Sequence, residues 1–140
     1  MLESNVNITK IGAKGMVRLP REYKNLYRAV KINKYQARKT LIDGFNFDSK
    51  KEGRRYLELK FMQHAGIISD LELQPVFLLQ DKFQHHGKTY RAIKYIADFR
   101  YLKNGETIVE DVKGFETQVY KIKKKMLLKK YPDINFREIK

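Results

Sequence analysis

IKYIADFRYLKNGETIVEDVKG, residues 93–114, sets two β-rich runs, 94–101 and 106–112, on either side of Asn104-Gly105. An Asn-Gly pair between such runs is a strong hairpin signal, because a type I′ turn needs φ > 0 at both central residues. A two-residue turn sets Lys103 against Glu106, and counting back sets Asp98 against Asp111. Directly opposed residues share one face of the sheet, with Cβ atoms about 5 Å apart. Lys113, two residues beyond Asp111, belongs to the same face. Two carboxylates and an ammonium thus converge on one patch. Like charges so placed repel, and a purely structural sheet gains nothing from them. A hard divalent cation removes the repulsion, because Mg²⁺ seeks carboxylate oxygen and keeps several waters. Glu110 is equally acidic, but alternation turns it to the opposite face, beside Ala97 and Phe99. The competing reading makes Asp98 and Asp111 solvating charges at strand ends, with Lys113 neutralising one of them.

These residues resemble the PD-(D/E)XK nuclease superfamily. Asp98, in Ile96-Ala97-Asp98-Phe99, matches the first signature Asp, and Asp111-Val112-Lys113 matches the (D/E)XK element. Ala97 stands where the signature has Pro. Within the superfamily the chain is similar to phage endonuclease I type Holliday-junction resolvases and, from about Tyr35 to its C-terminus, to small phage nucleases. The resemblance implies a restriction-endonuclease-like αβββαβ core, an α/β fold with a mixed central sheet flanked by helices. It also implies a Mg²⁺-dependent endonuclease, with Mn²⁺ able to substitute, one or two ions per site, and branched DNA cut by a homodimer. Asp98, Asp111 and a Glu on the first helix, matched by Glu52, would hold the metal with the Val112 carbonyl, and Lys113 would assist the attacking water.

The whole chain sets limits on these readings. At 140 residues it has the length of one domain, and 42% apolar residues are ordinary for a globular chain. No run is long enough to cross a membrane, and MLESNVNITK lacks the apolar core of a signal peptide. The absence of Cys excludes disulfides and thiolate zinc sites, in keeping with a reducing cytoplasm. Thirty Lys and Arg against 16 acidic residues give a formal charge of +14, which implies a polyanionic partner, most simply nucleic acid, although ribosomal or membrane-surface binding would give the same sign. A nucleic-acid-binding protein without catalysis, such as a degenerate nuclease fold, would carry the same charge, as would a structural protein bound to RNA.

Residues 1–42 hold ten basic and two acidic side chains and read as a basic arm ahead of a nuclease domain over 43–140. Gly12, Gly15 and Pro20 argue against regular structure before Arg21. From there Arg21, Lys24, Arg28 and Lys31 recur at helical spacing, opposite Tyr23, Leu26, Tyr27 and Val30. Such a face, with Arg18 before it, would grip phosphates; the alternative is a solvated tail. Asp43-Gly44 reads as a turn. Ser49-Lys-Lys-Glu52 fits a capping box in which Glu52 reaches back to the Ser49 N–H, opening a helix over 50–65 that Gly66 stops. Tyr56, Leu59 and Met62 are its expected core residues.

Residues 71–80 read as a strand interrupted by Pro75, with Leu71, Leu73 and Phe77 inward and Glu72 and Gln74 able to face the site. His85-His86-Gly87 reads as an exposed loop; zinc would need more ligands than His64 can add. A helix over 117–130 ends before Pro132, with Val119, Ile122 and Met126 as its apolar stripe. Lys121, Lys124 and Lys125 lie off that stripe, as phosphate contacts or as a solvated face. Residues 134–139 alternate as a last strand.

Overall fold

The computed structural model describes residue 21 and residues 39–113 and 115–140. Arg18, Lys24, Arg28, Lys31 and the apolar set Tyr23, Leu26, Tyr27 and Val30 lie outside the described residues, whereas Arg21 is described and exposed. The chain divides into two compact units, Met1–Ile67 and Ile68–Lys140. It is a mixed α/β protein, mostly strands among the described residues.

In the first unit, β1 (Thr40–Ile42) and β2 (Phe45–Phe47) form a hairpin around Asp43-Gly44. Both turn residues have positive φ, 51° and 81°, the type I′ geometry that the Asp-Gly pair favours. The three-residue strands are too short to leave a periodic trace in the sequence. Helix α1 (Lys50–His64) starts at Ser49, whose hydroxyl accepts the Glu52 N–H at 3.1 Å. The Glu52 carboxylate turns back as a capping box requires, but it accepts the Asp48 N–H, at 3.2 Å, instead of the expected Ser49 N–H. Tyr56, Leu59 and Met62 are buried, as their spacing predicts. At Gly53 α1 lies close against the hairpin: a Cβ there would sit 3.0 Å from Ile42 Cδ1. The Tyr56 ring packs on Phe47 at 5.0 Å, and its hydroxyl donates to Asp43 at 3.0 Å. Lys60 also pairs with Asp43. The turn carboxylate therefore ties the hairpin to the helix.

A bent antiparallel ribbon dominates the second unit. One arm is β3 (Ser69–Leu73) and β4 (Val76–Gln80); the other is β7 (Ile93–Ile96) and β8 (Phe99–Lys103). Leu73↔Phe99 and Val76↔Ile96 keep one register across the break. At the break Gln74 N–H donates to the Asp98 carbonyl at 2.9 Å and Ala97 N–H to the Pro75 carbonyl at 3.1 Å. Neither 71–80 nor 94–101 is therefore a single strand. Pro75 lacks a ladder donor and Gln74 has φ +50°, so the ribbon bends there and its halves join different sheets. Glu72 pairs with Arg100. Ala97 lies not beside Glu110 but in the core with Phe77, Val109 and Leu127, because the chain changes sheets between Ala97 and Phe99.

Between Leu78 and Gln80 the ribbon shifts register by one residue, and beyond Gln80 it continues as β5 (Phe83–His85) and β6 (Lys88–Tyr90). His85-His86-Gly87 is exposed as expected, with His85 ending β5 and His86-Gly87 forming the hairpin turn at φ of 47° and 74°. The strands of the second sheet run in the order β10-β9-β8-β3, with β9 (Glu106–Val112) antiparallel to β8 and parallel to β10 (Asn135–Ile139). A parallel pair needs a crossover, which helix α2 (Gln118–Lys130) supplies. Thr117 caps α2, accepting the Tyr120 N–H at 3.1 Å. Its core face is Tyr120 and Leu127, whereas Val119 and Ile122 of the expected stripe are 63% and 60% exposed. Both sets recur at helical spacing, and only Met126 of the expected stripe packs against the core, partly buried. Bulk and a partner for the phenol decide for Tyr120.

Burial, reinforced by the bond to Asp43, pushes Tyr56 ionisation up to about 12. A raised value means that its stabilisation is complete below pH 10 and lost between pH 10 and about 12. Tyr56→Phe should cost about 1 kcal/mol at neutral pH. It should also make the fall in stability through that alkaline window shallower than in the wild type, as read by urea unfolding at a series of pH values.

Candidate active site

Asn104 and Gly105 adopt φ of 51° and 79°, and the turn they form sets β8 against β9 from Lys103↔Glu106 to Phe99↔Glu110. One step further, Asp98 N–H donates to the Glu110 carbonyl at 3.0 Å, a slip of one residue that ends the ladder before the expected pairing of Asp98 with Asp111. Glu110 points to the other face, where it is fully buried and accepts the Tyr101 hydroxyl at 2.5 Å.

Asp111 is 1% exposed. Its Oδ2 accepts the Tyr95 hydroxyl. Oδ1 lies 2.8 Å from Lys113 Nζ, an ion pair by distance, yet the approach is not that of a hydrogen bond. Oδ1 is therefore a buried acceptor without a hydrogen-bond donor. Such an atom is unfavourable unless a charge supplies what water gave it. The Lys113 ammonium also sits 4.6 Å from the centre of the Tyr120 ring, within cation–π range. Asp98 is half-buried, and its Oδ2 accepts the Val112 N–H at 2.5 Å. The first carboxylate thus grips the backbone between Asp111 and Lys113.

A supporting layer stands behind these groups. The parallel pairing sets Glu138 of β10 beside Asp111. Glu138 accepts the Tyr120 hydroxyl at 2.5 Å and pairs with Lys124, and Lys124 followed by Tyr120 holds its carboxyl below the ordinary range. Burial pushes the Tyr95 phenol far above its usual value, and the Asp111 carboxylate adds to the shift. Tyr120 is raised likewise, by burial and then by Glu138. Both phenols remain proton donors throughout the neutral range.

Tyr95, Tyr120 and Glu138 were not legible as site residues. Tyr95 belongs to β7, paired to β4, and reaches Asp111 only because the ribbon bends at Ala97. Glu138 depends on a parallel register that sequence alternation leaves open. Lys124 is engaged with Glu138, while Lys121 and Lys125 are exposed on α2. Glu52 belongs to the first unit, buried, with its carboxylate on the Asp48 N–H. Among the described residues, no three His, Cys, Asp or Glu side chains gather as a metal-binding group. No helix among them is long and apolar enough to cross a membrane.

Residues 32–140 match the family model described as "Protein of unknown function (DUF1064)", and the chain belongs to that family. Neither a curated protein nor a solved structure matches it.

Removing the Tyr95 hydroxyl leaves a second oxygen of a buried carboxylate without its donor. Tyr95→Phe should destabilise the protein by about 1–3 kcal/mol in urea unfolding. Asp111→Asn in that background should recover part of the loss, because the unpaired charge is gone; a purely additive double-mutant cycle would contradict the pairing.

Proposed function

We propose that this member of the DUF1064 family is a metal-dependent DNA endonuclease. The observation that carries the reading is the buried Asp111 carboxylate, whose Oδ1 lacks a hydrogen-bond donor while Lys113 pairs with it and Asp98 holds the N–H of the next residue, Val112. Mg²⁺ is commonly held by one or two carboxylates, with water and substrate phosphate completing its shell. Asp98 and Asp111, with the Val112 carbonyl, fit that donor set; Glu52 is a ligand only by the resemblance to the phage resolvases. When bound, Mg²⁺ supplies Lewis acidity to the phosphodiester and makes the attacking water more acidic.

The chain's own groups would do the rest. Tyr95 fixes the orientation of Asp111 by donating to Oδ2. Lys113, braced between Asp111 and the face of Tyr120, is placed to offset negative charge that develops on the phosphoryl oxygens. The formal charge of +14 and the exposed Lys121 and Lys125 favour a polyanionic substrate. A mixed sheet in which a hairpin, a helix and a parallel strand follow one another is compatible with a restriction-endonuclease-like core. Branched DNA and a homodimer are the substrate and assembly that the resemblance at Asp98 and Asp111-Val112-Lys113 favours. A second reading, a nucleic-acid-binding protein without catalysis, draws on the lack of a three-ligand group among the described residues.

Incubation with Mg²⁺ on matched junction, flap, duplex and single-stranded DNA separates the two. The nuclease reading expects cleavage that Asp111→Asn reduces by about 100-fold or more, while metal-free DNA binding stays intact. Intact DNA after long incubation with the wild type would favour binding alone. Glu52→Gln tests the remaining ligand: lost cleavage with unchanged melting assigns it to the metal, and full activity leaves it as a helix cap.

A further inference from the structure

The hairpin of β5 and β6 stands outside the catalytic patch, yet its two faces differ in chemistry. Phe83 pairs with Tyr90 and His85 with Lys88, so these four side chains share one face. Gln84 and Thr89 occupy the other face, joined by a hydrogen bond of 3.4 Å. On the first face the Phe83 and Tyr90 rings stack at 4.9 Å, with their planes within 7° of parallel. They remain 44% and 38% exposed, and Lys88 Nζ lies 5.4 Å from the centre of the Tyr90 ring. The segment 82–91 adds Lys82 and Arg91 and contains no carboxylate.

A cross-strand aromatic pair can serve only to staple a two-stranded ribbon. Stapling does not call for an ammonium and an imidazole on the same face, nor for basic residues at both ends of the segment. That combination suits a polyanion with exposed π-faces. Unpaired bases have this character: aromatic side chains stack them while cations follow the backbone. Paired bases in a duplex are already stacked on one another. The ribbon also fixes where such a contact would fall. Asp98 lies at its bend and Lys88 near its tip, and a chain of that length spans at most about 35 Å when extended.

We propose that the β5–β6 hairpin binds unpaired DNA bases, stacking them on Phe83 and Tyr90 while Lys88 neutralises a backbone phosphate. The proposal rests on the nucleic-acid reading above and adds the substrate feature recognised away from the cut. The test is fluorescence anisotropy of the full chain without divalent metal, on single-stranded and duplex DNA of one sequence. Phe83→Leu with Tyr90→Leu keeps an apolar cross-strand pair and removes both π-faces. This variant should bind single strands about tenfold more weakly and change duplex binding by less than about twofold. Lys88→Gln should make the single-strand salt slope less negative by about 0.7. Gln84→Ser with Thr89→Ser alters the same hairpin on its other face and should bind as the wild type does.

Wild-type single-strand affinity in the double leucine variant would overturn the proposal. So would an equal loss on duplex, or an equal loss from the Gln84/Thr89 variant. If the wild type binds neither DNA, the nucleic-acid reading itself falls, and the hairpin proposal with it.

Discussion

Almost everything in the second unit bears on one buried carboxylate. Taking Asp111 out of water costs several kcal/mol unless donors or cations replace its hydration. The fold supplies them from three separate elements. Tyr95 comes from the ribbon beyond its bend, Lys113 from the end of β9, and Tyr120 from the first turn of α2, behind Lys113. Each delivery depends on a different topological feature: the break at Pro75 and Ala97, the I′ turn at Asn104-Gly105, and the crossover from β9 to β10. One carboxylate oxygen has a hydrogen-bond donor, and the other has only the Lys113 ammonium beside it. On the opposite face Glu110 is equally buried and also takes a tyrosine hydroxyl.

The sequence was most informative where local chemistry dictates geometry. Asn104-Gly105 forced one register as far as Phe99 and Glu110, and with it came the separation of Asp111 from Glu110; the slip at Asp98, which replaces its expected pairing with Asp111, has no local signal. Ser49 and Gly66 bounded α1 because a cap and a positive φ are local requirements. Legibility ended where long-range packing decides. The stripes Val119/Ile122/Met126 and Tyr120/Leu127 are equally periodic, and only a sheet beneath the helix chooses between them. The pairing of Glu138 with Asp111 belongs to a parallel ladder, which no turn connects. Pro75 announced an interruption, but not that the partner strand would break opposite it, nor that Tyr95 would reach Asp111 as a result.

The supporting residues also explain why the patch should be rigid. Lys124, Glu138, Tyr120, Lys113, Asp111 and Tyr95 are linked in series through short polar or cation–π contacts. Catalytic groups work best when their own positions are fixed by a second layer of bonds on strands and helices. Here that layer includes two phenols whose ionisation is raised by burial, so neither bond changes character through the neutral range.

If Asp111 Oδ1 takes a hard cation, as proposed, melting of the DNA-free protein against Mg²⁺ concentration will report it. A ligand that binds only the folded state stabilises it by about 2.7 kcal/mol at 100 times its dissociation constant. The wild type should therefore show a saturable rise in melting temperature that Asp111→Asn abolishes. A flat wild-type curve, or the same rise in both proteins, would contradict the account.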